Sequence, residues 1–235
     1  MNSLRKPFNK TVLIKIGFLA CWIPVLYFDS AYSNIDWGVW ITFLLTLGLF
    51  VFQYKKATLR LRLLMIMIVP LSYAGELIST ELLGLYAYRL GTVPIYIPIG
   101  HAVVYASAYE IFLESSIRHW VQKRRNAIMG IYALLFLMVL LVFEDTLSAI
   151  MGALLFWMLI KKRNHSIYLI IGWVVLYLEV SGTYLGNWAW ERDHLAFHTT
   201  NPPLGSVMIY VGGDALLNKL LRIVLRIRRK KRRAL

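Results

Sequence analysis

Long apolar runs alternate with short polar stretches along the chain, and this alternation predicts its fold. The apolar runs are about 17 to 25 residues long, which is the length that an α-helix needs to cross the hydrocarbon core of a bilayer. We therefore expect an all-α, polytopic integral membrane protein that forms a single domain. Eight membrane-spanning helices are expected, near residues 11–28, 38–53, 63–88, 95–117, 127–143, 147–160, 166–187 and 204–224. In a six-span alternative, the short fifth and sixth segments form a re-entrant hairpin.

Lys and Arg residues cluster in alternate polar stretches. The N-terminus, the loops near residues 55, 120 and 162 and the tail hold nearly all of them, whereas the remaining loops carry Arg89 and Arg192. By the positive-inside rule both termini are cytoplasmic, which requires an even number of spans. The formal net charge of +14 comes from separate clusters, so nucleic acid is not an expected partner. We expect the tail, residues 226–235, to attract anionic lipid, and the plasma membrane of a prokaryote to be the location.

Two parts of the chain share a pattern. Segments that begin at Glu81 and Glu179 both read E-x-x-G-x-Y, and each leads through a polar aromatic loop to P-x-G and then to an acid in the next apolar run. Spans three and four thus correspond to spans seven and eight. We predict two four-helix halves in the same orientation, residues 1–117 and 127–225. Internal duplication of this kind is common in transporters but is not diagnostic of them.

Ionisable side chains lie inside the predicted spans, where charges are costly and usually mark function. At about 1.5 Å per residue, Glu76 and Glu179 lie about 20 Å above the cytoplasmic starts of their helices, and Glu81 lies higher. On the same arithmetic Asp214 is near mid-membrane and His101 is close to the outer surface. Since the aromatic loops face the same side, we expect a cavity in the outer half of the bilayer. The alternative is that the carboxylates only hold helices together.

Other chemistries lack their motifs in this sequence. His194 and His198 form one H-x-x-x-H box, whereas a membrane di-iron site needs several. A lone Cys21 excludes a multi-cysteine metal site and a disulfide within one chain. A glycine-rich nucleotide loop, an aspartate-rich diphosphate motif and a nucleophile–histidine arrangement are not evident in the sequence either. We expect neither a metal nor a cofactor.

Two segments carry a family resemblance. The first is Glu81 to His101, E-L-L-G-L-Y-A-Y-R-L-G-T-V-P-I-Y-I-P-I-G-H, with an acid, a G-x-Y-x-Y element and a V-P-x-x-I-P run. The second is G-N-W-A-W, Gly186 to Trp190, with Asn201 downstream. Both segments resemble the membrane-embedded carotenoid hydratases, the bisanhydrobacterioruberin and carotenoid 1,2-hydratase family.

The resemblance implies acid–base chemistry at a C=C bond of a lipophilic isoprenoid substrate: hydration, cyclisation or isomerisation. Protonating an alkene needs a carboxylic acid that burial keeps neutral, and the resulting carbocation needs aromatic faces and a nearby carboxylate. We expect Glu81 and Glu179 to be the acid and base, in either order, with Asp214 and His101 as catalytic support. The expected substrate-binding residues are Tyr86, Tyr88, Trp188, Trp190, Asn201 and Glu76.

Two other classes of function fit the same residues. A proton-coupled transporter or binding protein for an amphiphilic small molecule could use the buried acids as its coupling site. In a non-catalytic membrane assembly protein, the carboxylates would only join helices. Movement of a substrate that depends on a pH gradient distinguishes the transporter from the enzyme.

Overall fold

Ten α-helices form most of the part of the chain that the computed structural model describes, residues 9–161, 166–194 and 196–233. A helix lies at each of the eight apolar segments of the sequence. The helices are α1 Lys10–Ala20, α2 Trp22–Tyr27, α3 Gly38–Lys56, α4 Leu59–Leu77, α5 Tyr96–Leu113, α6 Ser115–Lys123, α7 Arg125–Phe143, α8 Thr146–Lys161, α9 Ser166–Tyr184 and α10 Ser206–Arg233.

Within these described ranges, five helical stretches are long and apolar enough to cross a membrane. They are Lys10–Tyr27, Gly38–Lys56, Leu59–Leu82, Arg125–Phe143 and Ser166–Tyr184, and α8 is a shorter apolar helix. These stretches agree with an all-α, multi-pass membrane protein. Helix α5 differs in that it carries His101, Glu110 and several tyrosines, and it is the most interior helix, with 12 of its 18 residues buried.

The helices begin and break where the sequence provides local signals. The Asn9 side chain accepts a hydrogen bond from the Val12 amide at 2.9 Å and so caps α1. Pro24 has no amide hydrogen and cannot bond to the carbonyl of Ala20, so the helix breaks between α1 and α2. The freed Ala20 carbonyl instead accepts a hydrogen bond from the Tyr177 hydroxyl of α9 at 3.1 Å. The break in the helix therefore leaves a carbonyl that joins α1 to α9.

Four helices surround the centre of the molecule. Helix α4 packs against α5 and α10, and α9 packs against the same two helices. Helices α1 and α3 cover the outer side of α5, whereas α7 and α8 lie beside α9 and α10. Fully buried apolar side chains such as Leu64, Val103, Val175 and Leu217 come from all four central helices. The central group is thus α4, α5, α9 and α10.

Two expected spans end earlier than their apolar patterns predict. Helix α4 continues into a π-helical turn, Ile78–Leu82, and does not extend to residue 88. Gly84 and Gly186 follow these helices with φ angles of 61° and 69°, a left-handed conformation that glycine adopts without steric cost. After each glycine the chain is extended, so the expected spans 63–88 and 166–187 end before residues 88 and 187, and short strands follow them.

The extended segments pair with one another across the molecule. Strand β1, Tyr86–Tyr88, is antiparallel to β2, Trp188–Trp190, with Tyr86 opposite Trp190 and Tyr88 opposite Trp188. A second small pair joins β3, Asp193–His194, to β4, Phe197–His198. Since alternate residues of a strand share a face, the four aromatic side chains of β1 and β2 lie together on one side.

Two buried aspartates hold the loops around these strands. Asp29, which is 1% exposed, pairs with Arg89 at 2.5 Å and accepts a hydrogen bond from the Tyr96 hydroxyl at 2.8 Å. Asp145 accepts hydrogen bonds from the Ser148 amide at 2.7 Å and the Thr200 amide at 3.1 Å. Because each carboxylate bonds to groups from distant parts of the chain, the positions of β1, β2 and the start of α10 are tied to the helices.

Candidate functional site

A cavity of about 430 Å³ lies between α4, α5, α9 and α10, below the paired strands. Most of its lining is apolar, and the polar groups are concentrated in a few side chains. The ionisable and aromatic residues among its lining are Trp22, Glu76, Tyr86, Tyr96, His101, Tyr105, Glu179, Trp188, Trp190, Tyr210 and Asp214. A cavity of this size and composition is suited to an apolar ligand that meets a few polar groups.

Glu76 stands near the end of α4 and is 5% exposed. Its Oε2 atom accepts hydrogen bonds from the hydroxyls of Tyr86 and Tyr88, the latter at 2.5 Å. Its Oε1 atom lies 2.9 Å from Nε2 of His101, on α5. We call these four residues the Glu76 cluster. Its donors are two hydroxyls and an imidazole, all of which can exchange protons.

Glu179 occupies the matching place near the end of α9 and is 3% exposed. Its Oε2 atom accepts hydrogen bonds from the indole nitrogens of Trp188 and Trp190, both at 3.1 Å. Its Oε1 atom accepts a hydrogen bond from the Tyr210 hydroxyl of α10 at 3.2 Å. We call these four residues the Glu179 cluster. Two of its donors are indole N–H groups, which donate but cannot accept.

The two clusters follow one plan. In each, one carboxylate oxygen binds both aromatic side chains of the strand that follows its own helix, and the other oxygen binds a side chain of the next helix. The separations differ by one residue, since Tyr86 is 10 residues after Glu76 but Trp188 is 9 residues after Glu179. The π-helical turn that follows α4 has room for that extra residue.

Aromatic rings connect the two clusters. His101 and Tyr210 stack with their planes 4° apart and their ring centroids separated by 5.2 Å. Tyr86 and Trp190 are in contact at 4.4 Å between centroids. Each of these pairs joins one member of the Glu76 cluster to one member of the Glu179 cluster.

The tyrosines of β1 lie outside the helical spans and are strongly affected by burial. Burial, followed by the negative charge of Glu76, raises the pKa of the Tyr86 hydroxyl above its ordinary value. The pKa of the Tyr88 hydroxyl is raised by the same two causes in the same order. Both hydroxyls therefore stay protonated at neutral pH and act as hydrogen-bond donors to Glu76.

Asp214 lies further along the cavity, one helical turn beyond Tyr210. It is 4% exposed, and its Oδ1 atom accepts a hydrogen bond from the side-chain amide of Asn218 at 2.8 Å. The hydroxyls of Tyr105 and Tyr168 also bond to this carboxylate. Tyr210, Asp214 and Asn218 are spaced four residues apart in the sequence, which places them on one face of α10. Asp214 thus forms a third polar position in the cavity.

Seven of the ten residues expected in the site line the cavity, and three do not. The seven are Glu76, Tyr86, His101, Glu179, Trp188, Trp190 and Asp214. Tyr88 lies behind Glu76, and Asn201 is exposed and accepts a hydrogen bond from the Trp190 amide at 3.2 Å. Asn201 therefore holds the β2 backbone and does not reach the cavity.

Glu81 is the main correction to the expected site. It is exposed, and its carboxylate contacts the Thr80 hydroxyl at 3.5 Å. Because the chain turns through the π-helical segment before Gly84, Glu81 lies on its outer side, and Glu76 takes the place opposite Glu179. The geometric pairing of Glu81 with Glu179 that the sequence pattern indicated is absent from the described structure.

Sequence reasoning also missed the roles of Tyr210 and Gly182. Tyr210 was visible one turn before Asp214, but its hydrogen bond to Glu179 depends on the packing of α9 against α10. Gly182 leaves a space on α9 that the Trp188 ring fills, since a Cβ placed on Gly182 would lie 2.0 Å from that ring.

The described residues hold no group of three His, Cys, Asp or Glu side chains that could bind a metal ion. His198 of the H-x-x-x-H box pairs with Asp193 at 2.6 Å, and both histidines of the box lie on the small β3–β4 pair, away from a helix. Carboxylates and aromatic rings supply most of the polar and ring groups that line the cavity. Comparison of the chain with protein-family profiles, with curated proteins and with solved structures finds no match.

Proposed function

We propose that this protein is a membrane enzyme that acts on a lipophilic, isoprenoid-like substrate by acid–base chemistry at a C=C bond. The observation that carries the proposal is that Glu76 and Glu179 are buried, at 5% and 3% exposure, yet both line one apolar cavity. Buried carboxylates that face a cavity are typical of catalytic acids and bases. The apolar walls favour a hydrocarbon ligand, and the aromatic rings favour a cationic intermediate.

The two clusters differ in the chemistry that they support. Glu179 accepts only from neutral donors, and its Oε1 atom takes one hydrogen bond among the described residues, so this oxygen can carry the proton that is transferred to the alkene. Proton transfer to one alkene carbon leaves a carbocation at the other carbon, which the rings of Trp188 and Trp190 stabilise.

Glu76 is assigned as the base because His101 is its partner. In hydration, water adds to the carbocation and loses a proton to the Glu76–His101 pair; in isomerisation or cyclisation, a carbon loses the proton instead. Asp214 lies further along the cavity and supports the positive charge or a polar group of the substrate. Hydration adds one water to the substrate, whereas the other two reactions leave its composition unchanged.

We also propose a membrane topology and a substrate related to those of carotenoid hydratases. Eight spans with both termini cytoplasmic are supported by a helix at each apolar segment and by basic residues such as Lys55, Arg60, Arg124 and Lys161 next to helix ends. Two four-helix halves are supported by the matched hydrogen bonds of Glu76 and Glu179. Tyr86 and Tyr88 belong to the G-x-Y-x-Y element that resembles carotenoid hydratases, which supports a related substrate. A prokaryotic plasma membrane is the proposed location.

The test is a comparison of lipid extracts by mass spectrometry from cells with and without the gene. Conversion of a native lipid is expected, and a gain of about 18 mass units indicates hydration, because one water is added across the double bond. The Glu179→Gln variant is expected to lose at least ~100-fold in conversion, since its amide oxygen can still accept from both indoles but the amide cannot donate the proton. Glu81→Gln is the matched control and is expected to retain conversion because Glu81 is exposed.

Two outcomes contradict this function. Full conversion by a normally inserted Glu179→Gln protein removes the assignment of the proton donor. Unchanged lipid extracts, combined with substrate movement that follows a pH gradient, favour a proton-coupled transporter. The specific observation behind that second candidate is the contact between His101 and Glu76, which can load and release a proton.

A further inference from the structure

The cavity is sealed by some of its helices and open along others. Its lining residues from α5 and α9, such as Val104, Ala108, Val175 and Leu178, are buried. The exposed residues of the lining belong to α4, to the π-helical turn that follows it, and to α10. They are Ala74, Gly75, Ile78, Ile209 and Leu216. Since α4 and α10 are neighbours, these residues mark one seam between two helices.

Glycines on both sides of the seam leave it open. A Cβ placed on Gly75 of α4 or on Gly213 of α10 would have no other atom within 4 Å. Both glycines also line the cavity. The apolar side chains next to them are exposed, with Ile78 at 49% and Leu216 at 46%. On a membrane-spanning helix, such exposed apolar groups face acyl chains.

We propose that the seam between α4 and α10 is a lateral portal through which a lipid enters the cavity directly from the bilayer. This inference rests on the proposed function and adds the route and the class of substrate: a chain-like hydrocarbon that is dissolved in the membrane. Transfer of such a molecule through water would expose its apolar surface to solvent, which is unfavourable, and a route between helices avoids that exposure. The portal admits the end of a long chain while the remainder stays in the lipid.

The position of the portal also explains which part of a substrate reacts. Gly75 is the neighbour of Glu76, and Gly213 is the neighbour of Asp214, so each side of the opening leads to a buried carboxylate. A chain that enters here presents its end to the two clusters. The proposal therefore assigns the reaction to a terminal group of the substrate, not to the middle of its chain.

The test uses the full-length protein in phospholipid vesicles and a farnesol whose distal end carries a diazirine. The probe is mixed with the vesicles, activated by light after increasing times, and its attachment sites are mapped by mass spectrometry. Gly75→Phe and Gly213→Phe place a ring at the portal, at positions where the Cβ atom meets nothing within 4 Å. Gly130→Phe is the matched control, because its Cβ also meets nothing within 4 Å but it lies on α7, away from the cavity.

The portal predicts that labelling of cavity residues such as Val104 and Leu178 slows at least tenfold in the two portal variants and is unchanged in Gly130→Phe. Labelling of the lipid-facing Leu134 of α7, which is 68% exposed, stays constant in all proteins and reports equal probe and equal insertion. Equal rates of cavity labelling in every variant overturn the portal but leave the proposed chemistry standing. Slow labelling together with a fully active Glu179→Gln variant keeps the portal and removes the chemistry. No cavity labelling in the unaltered protein overturns both.

Discussion

The Glu76 and Glu179 clusters share a geometry but differ in their donors. Each carboxylate is buried and receives two aromatic donors from a strand and one side chain from the next helix. Around Glu76 the donors are hydroxyls and an imidazole, which accept as well as donate; around Glu179 two donors are indole N–H groups, which only donate. The same frame thus holds Glu76, whose three partners can all pass protons, and Glu179, among whose three partners only Tyr210 can. That difference supports the two roles that we propose for them.

The largest change in stability is expected when Glu179 loses its acceptor atoms. In Glu179→Leu, two buried indole N–H groups are left without partners, which costs about 2–5 kcal/mol of unfolding free energy. In Glu76→Leu the cost is smaller, because the hydroxyls of Tyr86 and Tyr88 can rotate and bond to each other. Denaturant unfolding of both variants in the same mixed micelles measures the difference. A greater loss for Glu76→Leu would contradict the contrast between rigid and adaptable donors.

A smaller effect is expected at Gly182, which only the Glu179 cluster needs. In Gly182→Ala the new methyl group overlaps the Trp188 ring, whose nearest atom lies 2.0 Å from the Cβ position, and the overlap costs about 1–3 kcal/mol. Gly75→Ala is the matched control in α4: its Cβ has free space, so replacing a helical glycine there stabilises the protein by up to about 1 kcal/mol. A lower unfolding free energy for Gly182→Ala together with a higher one for Gly75→Ala would support a contact that is specific to the Glu179 cluster. Destabilisation of similar size at both sites counts against a specific contact with Trp188.

The smallest effect is expected from a single hydroxyl in the Glu76 cluster. Tyr88→Phe removes one hydrogen bond of 2.5 Å to Glu76 and keeps the ring, so the expected cost is about 1 kcal/mol. Tyr32→Phe, at an exposed position, is the control and is expected to leave stability unchanged. The midpoint of unfolding measures both. If Tyr88→Phe has the same unfolding midpoint as Tyr32→Phe, water or another group replaces the lost hydrogen bond to Glu76.

Periodicity and the cost of buried charge predicted much of the helical framework and several residues of the site. Glu179, His101 and Asp214 stood out because an ionisable group in an apolar run needs a reason, and all three line the cavity. The helices lie at the apolar runs because a helix that crosses a bilayer needs a nearly fixed number of apolar residues. These inferences depend on local sequence alone.

The pairing of the carboxylates could not be obtained in the same way. Aligning E-x-x-G-x-Y placed Glu81 opposite Glu179, because the pattern matched Gly84 to Gly182, whereas in the structure Gly84 and Gly186 are the glycines that take the left-handed conformation after their helices. The strand pair escaped notice because each strand has three residues and its partner lies about 100 residues away in the chain. A short strand is favoured by its partner and its burial, not by its own sequence. The local pattern therefore found the acids but not the partner that each acid faces.

The β1–β2 pair joins the segments that follow α4 and α9, and it supplies donors to both carboxylates. Separating these two segments would break the strand pair and remove the aromatic donors of both carboxylates at once. The proposed portal lies between α4 and α10, outside this pair, so a chain that enters there leaves the strand pair and its hydrogen bonds in place.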